Sequence, residues 1–293
     1  MTSAALDATL CLVLLSAAAT TLVAVPGADR PAEGGTADAT AEVLATSTTN
    51  VRYTLAPGAR RADERLVPFP ETDGPEFDRT AHGTYAELLA DAAVERPTVR
   101  GERLTRTGDD FARKVRRAVR NATGPRAHVV AVWRPYPGSH LQGRLAVGEA
   151  PPAGAAVHAA TLAAPSGLPA ARSDAIAAAE RGGFGAVAGV VADRIVGGLF
   201  PPERTRFALR DDYPLPELVT YRYLRTAALY GADAGDVENA ARRDRTGAAN
   251  DRLAEALSTA IERDLRRRFE TPRAAARTVD VRSVRITVRT WSP

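Results

Sequence analysis

The sequence has very few of the side chains on which several common chemistries depend. Of its 39 basic residues, 38 are arginine and only one, Lys114, is lysine. A P-loop needs a lysine directly after glycine, so that the ammonium group reaches the nucleotide phosphates, and Lys114 follows Arg113. A pyridoxal Schiff base would have to use the same lysine. The lysine content therefore excludes a P-loop and leaves one position for Schiff-base chemistry.

Cysteine and histidine are also scarce, and this bears on disulfides and metals. The only cysteine, Cys11, excludes internal disulfides and cysteine-rich zinc sites. The four histidines (His82, His128, His140 and His158) have no metal-ligand spacing, and the sequence contains no His-Glu-x-x-His motif. We therefore expect neither a metal ion nor a cofactor.

Large aromatic side chains are few, and alanine takes their place. Aromatics make up 5% of the chain, whereas alanine supplies 59 of its 293 residues. A chain of this length buries about 75% of its unfolded surface, so it needs no disulfide or metal to fold.

The formal charge of +4 is small for this length, and we expect nucleic acid not to be a partner. Residues 273–293, with five arginines and Asp280, alone carry a charge equal to this net value.

One long uncharged stretch stands at the start of the chain. Residues 8–25 are uncharged and lie between Asp7 and Pro26-Gly27. As a helix they would span about 27 Å, close to the roughly 30 Å of a bilayer's hydrocarbon core. Residues 1–7 lack the lysine or arginine with which a cleaved secretory signal opens. We expect residues 1–25 to be a retained anchor with a single span; a buried N-terminal helix and a cleaved signal are the alternatives.

The sequence as a whole predicts an α+β fold. A transmembrane or pilin-like N-terminal helix is followed by a linker at 26–48 and a mixed α+β domain at 49–293. Apolar patterning and turn residues predict strands at 51–55, 128–133, 144–147, 157–162 and 279–290, and helices at 84–95, 109–121, 173–199, 216–230 and 248–269. The helix at 173–199 is expected to be interrupted at Gly182-Gly183, and the linker could hold a short helix at 40–46. The continuous apolar run at 128–133 favours a strand covered on both faces. A phase change near Arg282 and Ser283 predicts a bulge in the last strand. Residues 57–81 read as an irregular, proline-rich loop.

The helix at 109–121 carries the clearest candidate binding surface. One of its faces is apolar, and the rest is basic, with candidate anion contacts at Arg113, Lys114, Arg116, Arg117 and Arg120. Such a face could meet the phosphates of nucleic acid or anionic lipid headgroups, or it could be an ordinary solvated helix face. No aromatic side chains stand beside it for base stacking, which argues against single-stranded nucleic acid.

Catalytic arrangements are hard to find in the sequence. Ser139-His140 and Ser166 lack the Gly-x-Ser-x-Gly context of a hydrolase, and the acidic groups at 71–76 and 211–212 lie in proline-rich turns. The glycines at 183–188 match a dinucleotide fingerprint, but a helix rather than a strand precedes them, so we reject this interpretation. We therefore expect a non-enzymatic protein.

Asn121 begins the one Asn-x-Ser/Thr sequon in the chain and is a possible glycosylation site. It matters only where the domain lies outside the cell. Given the anchor, we expect the globular domain to be outside and Asn121 to be accessible there.

Several phrases of the sequence together resemble an uncharacterised family of haloarchaeal proteins. They are the segments 51–58, 73–77, 80–84, 132–138, 198–202 and 284–293. The resemblance covers nearly the whole chain. Members of that family have a similar N-terminal apolar segment, and their genes tend to lie beside those for type IV pilus-like assemblies. It implies a role at the cell envelope and supplies no catalytic residues. The chain departs from the haloarchaeal pattern in being slightly basic, and residues 1–7 show no pilin processing site.

These observations lead to two hypotheses about function. The first is a membrane-anchored envelope protein, an accessory or minor component of a pilus-like assembly, whose partners are the membrane through residues 8–25 and other envelope proteins. The second is a soluble or peripheral protein that binds phosphates of nucleic acid or anionic lipid through residues 113–120 and the arginine-rich tail.

Overall fold

The computed structural model describes residues 35–235, Val237, Asn239 and residues 246–292. The chain divides after Gly35, and Thr36–Pro293 forms one compact unit. This unit has a mixed α+β fold with two antiparallel sheets, which confirms the predicted class of the globular domain. The predicted anchor at residues 8–25 and residues 26–34 of the predicted linker lie outside the described residues.

Helices and strands are interspersed along the chain up to Pro165, and a run of helices then precedes the last strand. The helices are α1 (Gly35–Thr46), α2 (Ala56–Arg60), α3 (Tyr85–Val94), α4 (Asp109–Thr123), α5 (Arg172–Leu199), α6 (Pro202–Leu209), α7 (Leu215–Tyr230), α8 (Thr246–Arg268) and α9 (Pro272–Arg277), with a short 3-10 helix at Pro75–Phe77. The strands are β1 (Thr48–Thr54), β2 (Asp78–Thr84), β3 (Pro97–Val99), β4 (Glu102–Arg103), β5 (Ala127–Trp133), β6 (Leu141–Val147), β7 (Val157–Pro165) and β8 (Ser283–Trp291).

The larger sheet has six strands in the order β4-β3-β6-β5-β8-β7, and all its pairs are antiparallel. The C-terminal strand β8 lies between β5 and β7, so that Ile286 faces Ala131 on one side and Leu162 on the other. Strands β1 and β2 form the second sheet. Its Tyr53 packs on Phe111 of α4 with ring centroids 4.8 Å apart.

Helix α3 covers one face of the larger sheet. Thr84 caps its first turn: the Thr84 hydroxyl accepts from the backbone N–H of Glu87, and the Glu87 carboxylate accepts from the backbone N–H of Thr84. This reciprocal arrangement satisfies two backbone donors at the helix start. The helix then approaches β6 at Gly143, where an added methyl group would overlap the carbonyl oxygen of Ala93. The helix and the strand therefore lie in backbone contact.

Helices α5 to α9 form the rest of the core. Helix α5 packs along α8 and α9, and it breaks at Gly182 and Gly183, as the sequence predicted. The stretch Arg172–Leu209 is, among the described residues, long and apolar enough to cross a membrane, judged by length and composition alone. Within this unit its α5 portion is packed against other helices, and Val191 and Ile195 are fully buried there. That packing accounts for its apolar composition.

Helix α1 occupies part of the predicted linker. Ala37 and Leu44 of this helix are buried, and the Thr36 hydroxyl lies 3.0 Å from the Thr290 hydroxyl of β8. Residues 36–46 are therefore packed against the rest of the unit and do not form a free tether.

The predicted bulge in the last strand is wrong. The strand begins only at Ser283, and the residues before it are held by side chains. The carbonyl oxygen of Val281 accepts hydrogen bonds from the Trp133 indole at 2.8 Å and from the Ser166 hydroxyl at 2.7 Å. These contacts bury Val281. The segment therefore has the alternating apolar pattern of a strand although it does not pair as one.

Two further predictions need correction. The predicted loop at 57–81 holds most of α2, the 3-10 helix and the first half of β2. The prediction that the strand at 128–133 is covered on both faces is also wrong in part, because His128 and Val132 are only half-buried. The short elements β3, β4, α6 and α9 were not predicted, since each is too short to show a period.

The backbone contact at Gly143 gives a direct test of this packing. We expect Gly143→Ala to destabilise the unit by about 3 kcal/mol, because its methyl group meets helix backbone and cannot be accommodated by a rotamer change. The matched control is Gly189→Ala in α5, where the added methyl would meet nothing within 4 Å. That control should be neutral or stabilising by about 0.5–1 kcal/mol. Denaturant unfolding of both variants measures the difference, and equal stability would contradict the assigned contact.

Candidate anion-binding surfaces

The predicted basic face of α4 is only partly free to bind an anion. Arg113 forms an ion pair with Asp110 one turn earlier in the helix. The Arg116 Nε donates to the carbonyl oxygen of Ala146 at 3.1 Å, so this side chain caps the exposed edge of β6. Two of the five predicted contacts are therefore engaged in holding the fold.

The other three predicted contacts point to solvent. Lys114, Arg117 and Arg120 are exposed and have no ion-pair partner among the described residues. Lys114 shares a shallow cleft with two aspartates and two arginines, so its charge is not offset there. All three residues therefore remain as unopposed charges on α4.

A denser group of arginines surrounds Asp109, the first residue of α4; we call it the Asp109 cluster. Its members are Arg61, Arg96, Arg103 and Arg106. The Asp109 carboxylate lies 3.5 Å from Arg61, 3.2 Å from Arg96 and 3.6 Å from Arg106, and it also pairs with Arg103. One carboxylate therefore serves four guanidinium groups, which leaves an excess of positive charge.

Burial strengthens the electrostatics of this cluster. The Arg96 side chain is 9% exposed and that of Asp109 is 16% exposed. Burial lowers the pKa of the Arg96 guanidinium, Arg103 lowers it further, and Asp109 opposes both effects. Because water screens these charges poorly, an anion entering the cluster would be attracted more strongly than at an open surface.

A cleft of about 610 Å³ opens beside the Asp109 cluster. Besides three members of the cluster it is lined by Arg225, whose guanidinium donates to the carbonyl oxygen of Arg103 at 3.5 Å. Asp63 and Glu102 are its only acidic lining residues. The cleft can therefore hold an oxyanion between arginines from different parts of the chain.

The second basic surface is the face of the larger sheet opposite α3, which we call the arginine face. It is defined by Arg144, Arg285, Arg289 and His128, which alternate with the buried residues of β5, β6 and β8. Strands β5 to β8 contain no aspartate or glutamate, and the three arginines have no ion-pair partner among the described residues. Burial lowers the pKa of His128, and the charges of Arg289 and Arg144 lower it further.

Ser139, His140 and Ser166 do not form a catalytic arrangement. The Ser139 hydroxyl accepts from the backbone N–H of Leu141, and the Ser166 hydroxyl donates to Val281. His140 lies 3.6 Å from the carboxylate of Asp264, but no hydrogen bond connects this histidine to either serine. In the described part of the chain, these serines are structural.

The remaining sequence candidates have structural surroundings. Asp211 accepts from the backbone N–H of Asp212 at 2.9 Å, as a turn residue does. Gly183 sits at the break of α5 with helix on both sides, consistent with rejecting the dinucleotide motif. Asn121 is exposed on the last turn of α4. Within the described ranges, no group of three or more histidine, cysteine, aspartate or glutamate residues could hold a metal ion.

Sequence reasoning found α4 and the arginine excess of the tail but missed both assembled surfaces. The arginine face was within reach, since Val284, Ile286 and Val288 share one phase of β8 and Arg285 and Arg289 fall on the other. The Asp109 cluster had only a partial local signal: Arg96, Arg103 and Arg106 lie in the stretch just before Asp109, and Arg61 joins them through the fold alone.

Comparison with known proteins gives one match. A family model described as a family of unknown function, DUF7284, matches residues 6–291 of the chain. No curated protein and no solved structure matches it significantly.

The Asp109 cluster predicts an unusual dependence of stability on salt. We expect Asp109→Asn to cost about 3 kcal/mol, because it leaves partly buried arginines without a counter-charge. Added salt or phosphate should restore part of this loss by screening the arginines. The control, Asp174→Asn, removes one exposed pair with Arg194 and should cost less than about 1 kcal/mol. Denaturant unfolding at low and high salt tests this; a loss that salt does not relieve would contradict it.

Proposed function

We propose that this chain, which belongs to DUF7284, a family of unknown function, is a non-enzymatic, membrane-anchored protein of the cell envelope. Residues 8–25 hold it in the membrane, and the unit that begins at Thr36 makes contacts with other envelope proteins. The protein resembles proteins encoded beside pilus-like gene clusters. Its proposed role is therefore that of an accessory or minor component of a type IV pilus-like assembly.

The observation that carries this proposal is where the folded unit starts. Thr36 is hydrogen-bonded to Thr290, and Leu44 is fully buried, so the unit is packed from its first helix onward. Residues 26–35 can span at most about 35 Å, even fully extended. An anchor at residues 8–25 would therefore keep the domain close to the membrane surface.

Two further findings support the proposal. The family match begins at residue 6, so the apolar run lies within the matched range. The two candidate serines, Ser139 and Ser166, are hydrogen-bonded to backbone groups of the fold. An apolar run joined to a domain of this kind is typical of an anchored protein.

The proposal predicts where the protein is found in cells. The full chain with a C-terminal tag should sediment with membranes, and protease added to intact cells should remove the tag, since the domain lies outside. A chain lacking residues 1–25 should not sediment. The control is the same deletion with an unrelated single-span anchor added, which should sediment again. Membrane sedimentation of the truncated chain, or a protected tag on the full chain, would contradict the proposal.

The arginine face favours a second function, peripheral binding of phosphates. Arg285 and Arg289 stand on the exposed side of β8 with no acidic residue in the neighbouring strands. Such a face attracts polyanions in a salt-dependent manner.

This second function predicts retention of the protein on inorganic polyphosphate that weakens as salt rises. The double variant Arg285→Gln/Arg289→Gln should lose most of that retention, because it removes two of the three free arginines. The control, Arg194→Gln/Arg266→Gln, removes the same charge from arginines paired with acids. Retention that survives the first change, or that both changes reduce equally, would argue against the arginine face as the binding surface.

A further inference from the structure

A cavity of about 300 Å³ lies where β3 and the start of β6 meet α7 and α8. Its walls are largely apolar and include Val99, Leu141, Leu229, Leu257 and Ile261. A cavity of this size is at the lower end of the range for ligand sites, and such sites combine apolar walls with a few polar groups. The cavity therefore suits a small ligand.

Tyr230, the last residue of α7, is among the residues that line this cavity, but its hydroxyl is enclosed by the fold and does not face the open space. Burial raises the pKa of Tyr230, and the charge that opposes this effect is that of Arg222, a residue outside the cavity lining. The charged groups that a ligand could reach from the cavity are therefore the arginines at its border.

The cavity is bordered by positive charge. A second cleft of about 500 Å³ shares Arg100, Ser139, His140 and Arg267 with it, so the two adjoin. Arg263 lines the cavity as well, and neither it nor Arg100 has an ion-pair partner among the described residues. Arg100 is held at a φ of +52°, a left-handed conformation that is rare for residues other than glycine.

The single acidic residue of the cavity is already neutralised. Asp264 accepts a hydrogen bond from the Tyr136 hydroxyl at 3.0 Å and another from the Arg268 Nε at 3.0 Å. Its side chain is 6% exposed, and Arg267 lies 3.5 Å from it. The charges of Arg100 and Arg263 are thus available to a ligand.

We propose that this cavity binds a small amphipathic anion, in which an apolar chain or ring lies against the leucine and isoleucine side chains. A carboxylate or phosphate group of the ligand meets the guanidinium groups of Arg100 and Arg263. This site goes beyond the proposed function, since neither membrane anchoring nor protein contacts require it.

The test is isothermal titration of the full chain, in one buffer for all variants, with 4-phenylbutyrate and phenyl phosphate as probes. The neutral analogue 4-phenylbutan-1-ol has the same apolar part as the carboxylate. We expect saturable binding of both anions with one site per chain. The alcohol should bind at least about tenfold more weakly than 4-phenylbutyrate, because hydrogen bonds to a charged group contribute more than neutral ones.

Four variants locate the site. Arg100→Gln and Arg263→Gln each remove one charge, and each should weaken anion binding about tenfold. Ala260→Phe places a ring in the cavity and should abolish binding of the acids and the alcohol. Arg144→Gln, on the arginine face, is the control and should change affinity less than about twofold. Circular dichroism confirms that each variant is folded.

Several results would overturn the proposal. These are no saturable binding of either anion, equal binding of the acid and the alcohol, or unchanged affinity in both Arg100→Gln and Arg263→Gln. Weaker binding of anionic lipid vesicles in Ala260→Phe, with no binding of the small probes, would assign the cavity to a lipid acyl chain instead. Since none of these readouts depends on membrane localisation, the proposal fails or stands separately from the proposed function.

Discussion

The insertion of β8 between β5 and β7 is the interaction on which the rest of this structure depends. This strand is the last element of the chain, yet it supplies hydrogen bonds to both neighbours and buries Val284, Ile286 and Val288 under α3. Without it, β7 would have no partner in the sheet, and α1 would lose the contact between Thr36 and Thr290. The sheet is therefore completed only when the C-terminal residues take their place, and this couples the two ends of the folded unit.

The same strand joins the fold to its candidate surfaces. Since side chains alternate along a strand, the residues between its buried valines and isoleucine must face away from α3, and these are Arg285, Thr287 and Arg289. The strand that closes the core thus also carries two of the arginines of the arginine face. Under the proposed anchoring by residues 8–25, a basic face could meet anionic lipid or another envelope protein, so the two proposed functions are physically compatible.

Local features were predictable from the sequence, and features that depend on distant contacts were not. Thr84 and Glu87 indicate the start of α3. The apolar spacing of Phe111, Val115 and Val119 predicts α4. Each of these signals lies within a few turns of one helix. The approach of α3 to Gly143 has no such signal, nor does the enclosed hydroxyl of Tyr230, since each depends on an element far away in sequence. The alternating apolar residues Val279 and Val281 led to the wrong prediction that the last strand begins at residue 279. Side-chain hydrogen bonds to Val281 bury this segment outside any strand.

We have proposed that residues 8–25 lie in a membrane, and Cys11, the only cysteine in the chain, allows a direct measurement. A bimane fluorophore attached to Cys11 can be quenched by lipids that carry a nitroxide or by iodide in the water. In vesicles that contain the full chain, a membrane-embedded Cys11 should be quenched strongly by the nitroxide lipids and little by iodide. The reverse result, or protection from both quenchers as in a buried helix of the domain, would contradict this proposal.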